Sequence, residues 1–436
     1  MRYHGRGVIR KGNESQVNPV IIIPTYWAET DYMGGIGERG TYDYVTPIAR
    51  PLPELETCLA SLEKVRGVLR VMVLVVSEKD MAESARARVD GICRAHPNLN
   101  TLVVGRGEAA LVRKAVASIA PTLDGENVSL RGYGAIKNMG LAVAALLGHD
   151  VAVFLDDDLV ATDANFLANA VHGLGTLTRN EQRIIAKTGY FLNGEGSPFS
   201  GGSGPVRWSE RLWSKRDGFN DMMREKLRSE RISRSNWLCG GCCALHASAF
   251  SQVPFDPYIP RGEDLDYVVN LRARGIDAWF DNAWSVRAVP PPLPSRASLL
   301  MQDTYRWLYE LEKLDTFNRR KDMRTVTVSS LKPYPAPWFS PDVRRRIVHT
   351  AARRLFVGPE RGAYLRILTK GIAEAEAWAA ASKERYLAFL NVWPTVVDTL
   401  WEERGLAARI LETGNPQRSK PVSAGDLRRL KTEAGR

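Results

Sequence analysis

Short unbroken apolar runs alternate along this chain with longer stretches in which apolar residues recur at helical spacing. Val20-Ile-Ile-Ile23, Val71-Met-Val-Leu-Val-Val76, Leu102 to Val104 and Val151-Ala-Val-Phe-Leu155 contain no polar residue. Runs of that kind predict strands covered on both faces of a sheet. Leu55 to Leu62, Ala82 to Cys93 and the alanine-rich Lys137 to Leu147 carry the helical period between them, and Asn165 to Leu177 predicts a further helix. Strands alternating with helices predict an α/β fold built on a mainly parallel sheet with right-handed crossovers. From Leu299 to Phe317 and from Glu374 to Leu390 the pattern is helical with no strand signal, so the C-terminal third is expected to be mostly α.

Polar segments punctuate this pattern. Residues 1–17 read as a flexible leader, 18–292 as the α/β domain, 293–415 as a helical region after Pro290-Pro-Pro292, and 416–436 as a loose tail. Glycines from Gly34 to Gly40 predict a ligand loop after the first strand. Residues 188–238, with Gly194, Gly196, Gly201, Gly202 and Gly204, predict a long loop, either a functional lid or a disordered segment. Trp208, Trp213 and Trp237 lie in that loop and either stack on a sugar ring or anchor it.

The chemistry gathers where the fourth strand ends, at Asp156-Asp157-Asp158. The carboxyl end of a buried strand is where a doubly wound sheet presents ligand-binding groups. A turn there brings Asp156 and Asp158 toward one point, and two carboxylates suit a hard cation, Mg²⁺ or Mn²⁺, shared with substrate phosphates. A second acidic cluster, Arg261-Gly-Glu-Asp-Leu-Asp266, opens a helix, where carboxylates are also favoured by the helix dipole. Cys239-Gly-Gly-Cys242-Cys243 near His246 has zinc-like spacing but lacks a second ligand pair, so its cysteines read as small core residues.

Composition narrows the classes. With 436 residues, 44% hydrophobic and 25% charged, the chain reads as an ordinary globular protein. Five cysteines do not form a disulfide framework at this length, and no apolar run approaches a membrane span, so a cytoplasmic location is expected. A net charge of +11 favours anionic partners, from phosphorylated small molecules to the inner face of a membrane. Nucleic acid has no motif behind it and is not expected.

In their order, Ile23-Pro24-Thr25-Tyr26, the Gly134-Ala-Ile-Lys-Asn138-Met-Gly140 helix start, Leu155-Asp-Asp-Asp158 and Arg261-Gly-Glu-Asp264 resemble the GT-A glycosyltransferases of the family 2 type, over roughly residues 18–290. The resemblance implies a Rossmann-like sheet that binds a nucleotide-diphosphate sugar, a metal-assisted transfer to a hydroxyl acceptor, and inversion with Asp264 as general base. Glu263 and Asp266 stand close enough to share that role. It further implies Asp156 and Asp158 as ligands of Mn²⁺ or Mg²⁺, with Asp157 beside the sugar donor. Pro24, Thr25, Tyr26 and Glu29 would lie against the nucleotide, with Ser77 and Glu78 at the end of the second strand. Lys137 and Asn138 would contact phosphate or ribose, and Gly240 and Gly241 would lie under the donor sugar.

The chain also departs from the family pattern. Ser77-Glu78 stands where an Asp is common, and Arg287 where many relatives carry a metal-binding His; an arginine binds diphosphate instead. Gln302-Asp-Thr-Tyr-Arg306-Trp307 has one residue more than the Gln-x-x-Arg-Trp motif of processive members, yet leaves Gln302 and Arg306 on one helix face, with Arg306 in reach of diphosphate or acceptor. The competing readings are a sugar nucleotidyltransferase, which needs a basic phosphate loop that Pro24-Thr-Tyr-Trp27 is not, and a non-catalytic adaptor whose basic residues 343–357 meet a polyanion or a membrane surface.

Overall fold

The structure is a computed structural model. It describes residues 17–29, 42–201, 206, 208, 210–289 and 295–417. The Gly34–Gly40 loop, Gly202, Gly204, the proline run from Pro290 and most of both predicted terminal segments lie outside the described residues.

Strands and helices alternate through the first part of the chain. β1 (Pro19–Ala28), β2 (Thr46–Pro47), β3 (Val71–Ser77), β4 (Thr101–Val104) and β5 (Val151–Leu155) are interleaved with α1 (Glu54–Leu62), α2 (Ala82–Ala95), α3 (Arg106–Ile119) and α4 (Tyr133–Leu146). There follow β6 (Leu159–Val160), α5 (Phe166–Val171), β7 (Ala186–Leu192), α6 (Arg216–Arg228), β8 (Ile232–Ser235), β9 (Cys242–His246), α7 (Ala247–Phe250), α8 (Glu263–Ala273) and β10 (Ala278–Ala288). The remainder is helical: α9 (Arg296–Arg319), α10 (Asp342–Val357), α11 (Arg361–Arg366), α12 (Ile372–Glu402) and α13 (Arg404–Thr413).

One sheet runs in the order β4-β3-β1-β5-β9-β7-β10-β6, with β2 beside β1 and β8 beside β10. β4, β3, β1 and β5 are parallel, whereas β9 inserts antiparallel between β5 and β7. The chain moves outward from β1 through β3 to β4 and then returns to the other side of β1 as β5. That reversal is a topological switch point, and the crevice at the carboxyl ends of β1 and β5 is where such sheets bind ligands.

Alternation along the strands feeds two cores. Ile21, Ile23, Val151, Val153 and Leu155 join the core on the α1 side, while Val20, Ile22, Ala152 and Phe154 join the one on the α4 side. Every residue of α4 after Tyr133 is buried. A helix hydrophobic all round must be covered on its outer face too, and α12 supplies Tyr386, Leu390 and Trp393 to the same core.

Three sequence expectations are corrected here. Residues 188–238 are not one long loop but contain most of β7, then α6 and β8. The apolar stripe of α6, Phe219, Met222, Met223 and Leu227, is masked in the sequence by the charges around it. The helix expected from Asn165 to Leu177 stops at Val171, where Gly173 and Gly175 take positive φ of 75° and 80°. β1 does not stop with the apolar run at Ile23 but continues to Ala28, so Pro24, Thr25 and Tyr26 are strand residues paired with Leu74, Val75 and Val76.

Candidate active site

Strand alternation decides which way the acidic triplet faces. Asp156 continues the parity of Phe154 and turns toward α4; Asp157 turns toward Thr25, Glu54 and Cys58 on the α1 side. From α4, Lys137 sends its ammonium into the crevice, where Nζ donates to the Gly240 carbonyl at 3.1 Å and pairs with Glu263 Oε1 at 2.9 Å. Phe154 and Phe255 flank that ammonium, with ring centres 5.5 and 5.2 Å away. Burial alone would lower its pKa, but Glu263, Asp156 and Asp264 together hold it above the ordinary lysine range.

Glu263 and Asp264 open α8, after Gly262 at φ 73°. Asp264 Oδ2 accepts from the Gly240 amide at 3.3 Å, and Oδ1 from the Leu265 amide at 2.7 Å. Burial and the Glu263 charge raise the Asp264 carboxyl, with Lys137 and Arg306 opposing them. Asp266, the third acid of the cluster, faces away: it is fully buried, bonded by Asn270 at 2.7 Å and paired with Lys313. The Gly240-Gly241 bend between β8 and β9 passes among these groups. A Cβ on Gly240 would sit 2.6 Å from Lys137 Nζ, and one on Gly241 2.4 Å from Asp156 Oδ2.

Burial pushes Asp156 up to about 6, with Glu263 and Asp264 adding to it and Lys137 opposing; burial and the Asp156 charge push Asp158 up to about 7. Two oxygen donors that resist ionisation beside one another fit a divalent cation placed between them. Among the described residues no group of three or more acidic, His or Cys side chains is assembled as a metal cage.

No protein-family model matches the chain, and no curated protein does. Among solved structures it is similar to a mannosyltransferase from Pyrobaculum calidifontis in complex with GDP-Man and Mn²⁺, at 14% identity and a TM-score of 0.40 over 89% of this chain and 91% of that one. It is also similar to GalNAc-T7 with UDP, GalNAc and Mn²⁺, at 14% identity and a TM-score of 0.39 over 80% of this chain and 59% of that one. A third is glucosyl-3-phosphoglycerate synthase from Mycobacterium tuberculosis in complex with phosphoglyceric acid, at 12% identity and a TM-score of 0.35 over 68% and 80%. Overlaps this loose carry no weight for chemistry, which rests on the residues themselves.

Around the crevice the remaining expected residues divide. Tyr26 forms an aromatic cluster with Tyr42 and Tyr133, ring centres 4.5 and 5.9 Å away, and burial, Tyr133 and Asp156 raise its phenol well above the ordinary range. Thr25 is buried next to Asp157, Ser77 is half-buried at the end of β3, and Glu29 and Glu78 are exposed at the ends of their strands. Arg287 is exposed near the end of β10, two residues before the Val289 amide that bonds the Asp158 carbonyl at 2.8 Å. Asn138 does something other than contact phosphate: its amide group donates to the Asn127 and Phe255 carbonyls and accepts from the Phe255 amide, so it clamps two loops.

Sequence reasoning passed over a second charged cluster beside Asp264. Arg261 pairs with Asp43 at 2.9 Å and with Asp303 at 3.6 Å, and Lys215 pairs with Asp303 at 2.9 Å. Trp213 Nε1 donates to the same Asp303 at 3.2 Å, while Trp237 packs against Phe219, so both tryptophans anchor this corner rather than present a face to a sugar. Trp208 is exposed, with Arg353 over its ring. Lys215 and Asp303 are 88 residues apart, and nothing local in the sequence pairs them. The five cysteines are free and buried; burial pushes the Cys93 and Cys243 thiols up to about 12.

Proposed function

We propose that this protein is a glycosyltransferase that moves a sugar from a nucleotide-diphosphate donor to a hydroxyl acceptor. The observation that carries the reading is the meeting, at the switch point of the sheet, of Asp156 and Lys137 with Asp264 across the side-chain-free Gly240-Gly241 bend. A sugar fits over such a bend where any Cβ would collide with the polar groups around it. The nucleotide would lie along the ends of β1 and β3, with Pro24, Thr25, Tyr26, Glu29, Ser77 and Glu78 toward it and Asp157 behind Thr25. Arg287 would meet the diphosphate.

Asp156 and Asp158 would hold Mn²⁺ or Mg²⁺. Bound there, the cation neutralises charge on a diphosphate leaving group. Asp264 acts as the base: the acceptor oxygen bonds to the anomeric carbon as the bond to the diphosphate oxygen breaks, that electron pair leaves with the diphosphate, and the acceptor proton passes to Asp264. Attack opposite the leaving group inverts the anomeric centre. Lys137 holds Glu263 aside and keeps Asp264 and Asp156 from sharing uncompensated charge.

The test is a thermal-shift panel of UDP, GDP, ADP, CMP and dTDP-sugars, each with Mn²⁺ and with EDTA, on the wild type and on Asp158→Ala. The expected outcome is a shift for one nucleotide that needs both the metal and Asp158. Absence of any shift from a folded protein would remove the sugar donor from the reading.

A second, compatible reading is peripheral contact with an anionic surface. Phe356 and Val357 are 76% and 59% exposed at the end of α10, near Arg353. Cosedimentation with anionic vesicles that disappears in high salt and in Phe356→Ser is the expected result; equal pelleting by the variant would exclude this surface.

A further inference from the structure

The turn that opens α8 is gripped from behind by α9. Asp303 and Arg306 stand three residues apart on one face of α9 and are 3% and 6% exposed. They take hold of two successive residues of the turn. Asp303 pairs with the Arg261 guanidinium at 3.6 Å, and Arg306 Nη2 donates to the Gly262 carbonyl at 3.2 Å. The same carbonyl accepts the Asp266 amide at 3.2 Å, a bond of the first turn of α8. Its two lone pairs are therefore divided between the helix and Arg306. Glu263 and Asp264 follow directly.

The contact is tight. Gly262 takes φ 73°, and a Cβ on it would fall 2.0 to 2.4 Å from the guanidinium atoms, so the backbone lies against Arg306 itself. A glycine turn is the most freely hinged point of a chain, and the direction in which α8 aims its first carboxylates depends on what holds that turn. Both grips are held in their turn. The Arg306 guanidinium lies over the Trp307 ring at 4.3 Å, and its charge is answered by Asp264 and by Glu310, a buried carboxyl one turn further along α9. Asp303 accepts from Lys215 at 2.9 Å and from Trp213 Nε1 at 3.2 Å.

We infer that Asp303 and Arg306 are positioning residues: by gripping Arg261 and Gly262 from α9 they set where Asp264 stands beside the Gly240-Gly241 bend. This rests on the reading of Asp264 as the base of a glycosyltransferase, and it moves Arg306 from the sugar donor, where the sequence put it, to the support of that base. Arg306 also brings a cation to the base. Around Asp264 stand Glu263 on its own helix, Lys137 from α4, Asp156 after β5, Cys239 and Cys243 about the bend, Arg306 from α9 and Tyr334 from the segment before α10. Burial and Glu263 raise the Asp264 carboxyl, and Lys137 and Arg306 oppose them. Loss of Arg306 would raise it further, so that the carboxylate form would be reached only at higher pH.

Two measurements on wild type, Arg306→Ala, Arg306→Lys and Asp303→Asn test it. One is hydrolysis of the nucleotide sugar found in the panel above, with Mn²⁺ and with water in place of the acceptor. The other is hydrogen exchange over residues 261–266, which needs no turnover. Arg306→Ala and Asp303→Asn are expected to exchange faster there while α4 and β5 stay protected, to lose about tenfold or more in kcat, and to keep KM within about twofold. In Arg306→Ala the acidic limb of the kcat profile should also move to higher pH, which a purely structural support would not cause. Arg306→Lys, which keeps the charge, should restore that limb and part of kcat, and it carries the test if the alanine variant does not fold. Unchanged exchange at 261–266, a lowered kcat with the limb of Arg306→Ala in place, or a raised KM with kcat kept each overturns the inference; the last would return Arg306 to the sugar donor. Where wild type binds the nucleotide sugar without hydrolysing it, the exchange result alone decides. A wild type that takes up no nucleotide sugar would overturn the transferase reading, and the role of base with it, whereas faster exchange confined to 261–266 would leave the grip of α9 on α8 standing.

Discussion

Asp158 sets site chemistry against stability. A carboxyl whose folded pKa stands above its ordinary value of 3.8 carries an extra proton in the folded state; as pH rises through about 7 that proton is lost and the fold is weakened. Asp158→Asn removes the ionisation. The metal-free variant is therefore expected to melt roughly 1–3 °C above wild type at pH 8 and by a smaller margin at pH 5, while losing the stabilisation that Mn²⁺ gives wild type. Calorimetric melts at the two pH values, with and without Mn²⁺, check this; a variant that melts lower at pH 8 would sink the idea of crowded like charges. Proton and metal also compete here, so Mn²⁺ affinity should fall as pH drops from 8 to 6. Asp264→Asn belongs to a different class. It keeps the shape and is expected to cost about 10²–10⁴-fold in transfer rate with nucleotide binding unchanged.

At the scale of elements, the site is made by where strands stop and bends pass. The ends of β3 and β5 were legible because doubly covered strands are unbroken apolar runs, and the triplet after β5 marked the ligand edge; β1 runs past its apolar run because Pro24, Thr25 and Tyr26 still pair with β3. α6 was not legible, since its four apolar residues are scattered among charges that read as a solvated stretch. The salt-bridge corner of Lys215, Arg261 and Asp303 was invisible for another reason: each charge looks ordinary along the chain, and only the fold, which brings the start of α6 and the loop before α8 to α9, makes them neighbours. The Gly240-Gly241 bend gives a sharp prediction. With a Cβ 2.4 Å from Asp156 Oδ2 and 2.6 Å from Leu159, Gly241→Ala must push Asp156 out of place. The expected result is loss of Mn²⁺-dependent nucleotide binding with little change in far-ultraviolet dichroism; retained binding would mean that the bend yields instead of the acid.

For the molecule as a whole, the helical C-terminal part is wedged into the sheet's own cores. Trp393 on α12 is fully buried, and its Nε1 donates to the Phe250 carbonyl at 2.6 Å; Tyr386 donates to the Pro254 carbonyl and Trp378 to that of Tyr258. Those carbonyls belong to the segment that leads from β9 to α8, the same segment whose Phe255 carbonyl takes the Asn138 amide and whose Asp256 holds Lys313 and Tyr309. The C-terminal helices therefore fix the approach to Asp264 from behind, although none of those three aromatic residues touches the crevice. Trp393→Ala removes a large buried side chain and leaves the Phe250 carbonyl unsatisfied, which together cost about 3–5 kcal/mol. If α12 only covers the sheet, that loss should lower the melting temperature and leave kcat/KM of the folded fraction unchanged. If α12 also sets the β9–α8 segment, kcat/KM should fall at temperatures well below melting, with nucleotide affinity retained because Asp156 and Asp158 hang from β5. The second outcome is the one expected, since Trp393 holds the start of that segment through the Phe250 carbonyl, whereas Asn138 and Asp256 tie only its later part to α4 and α9.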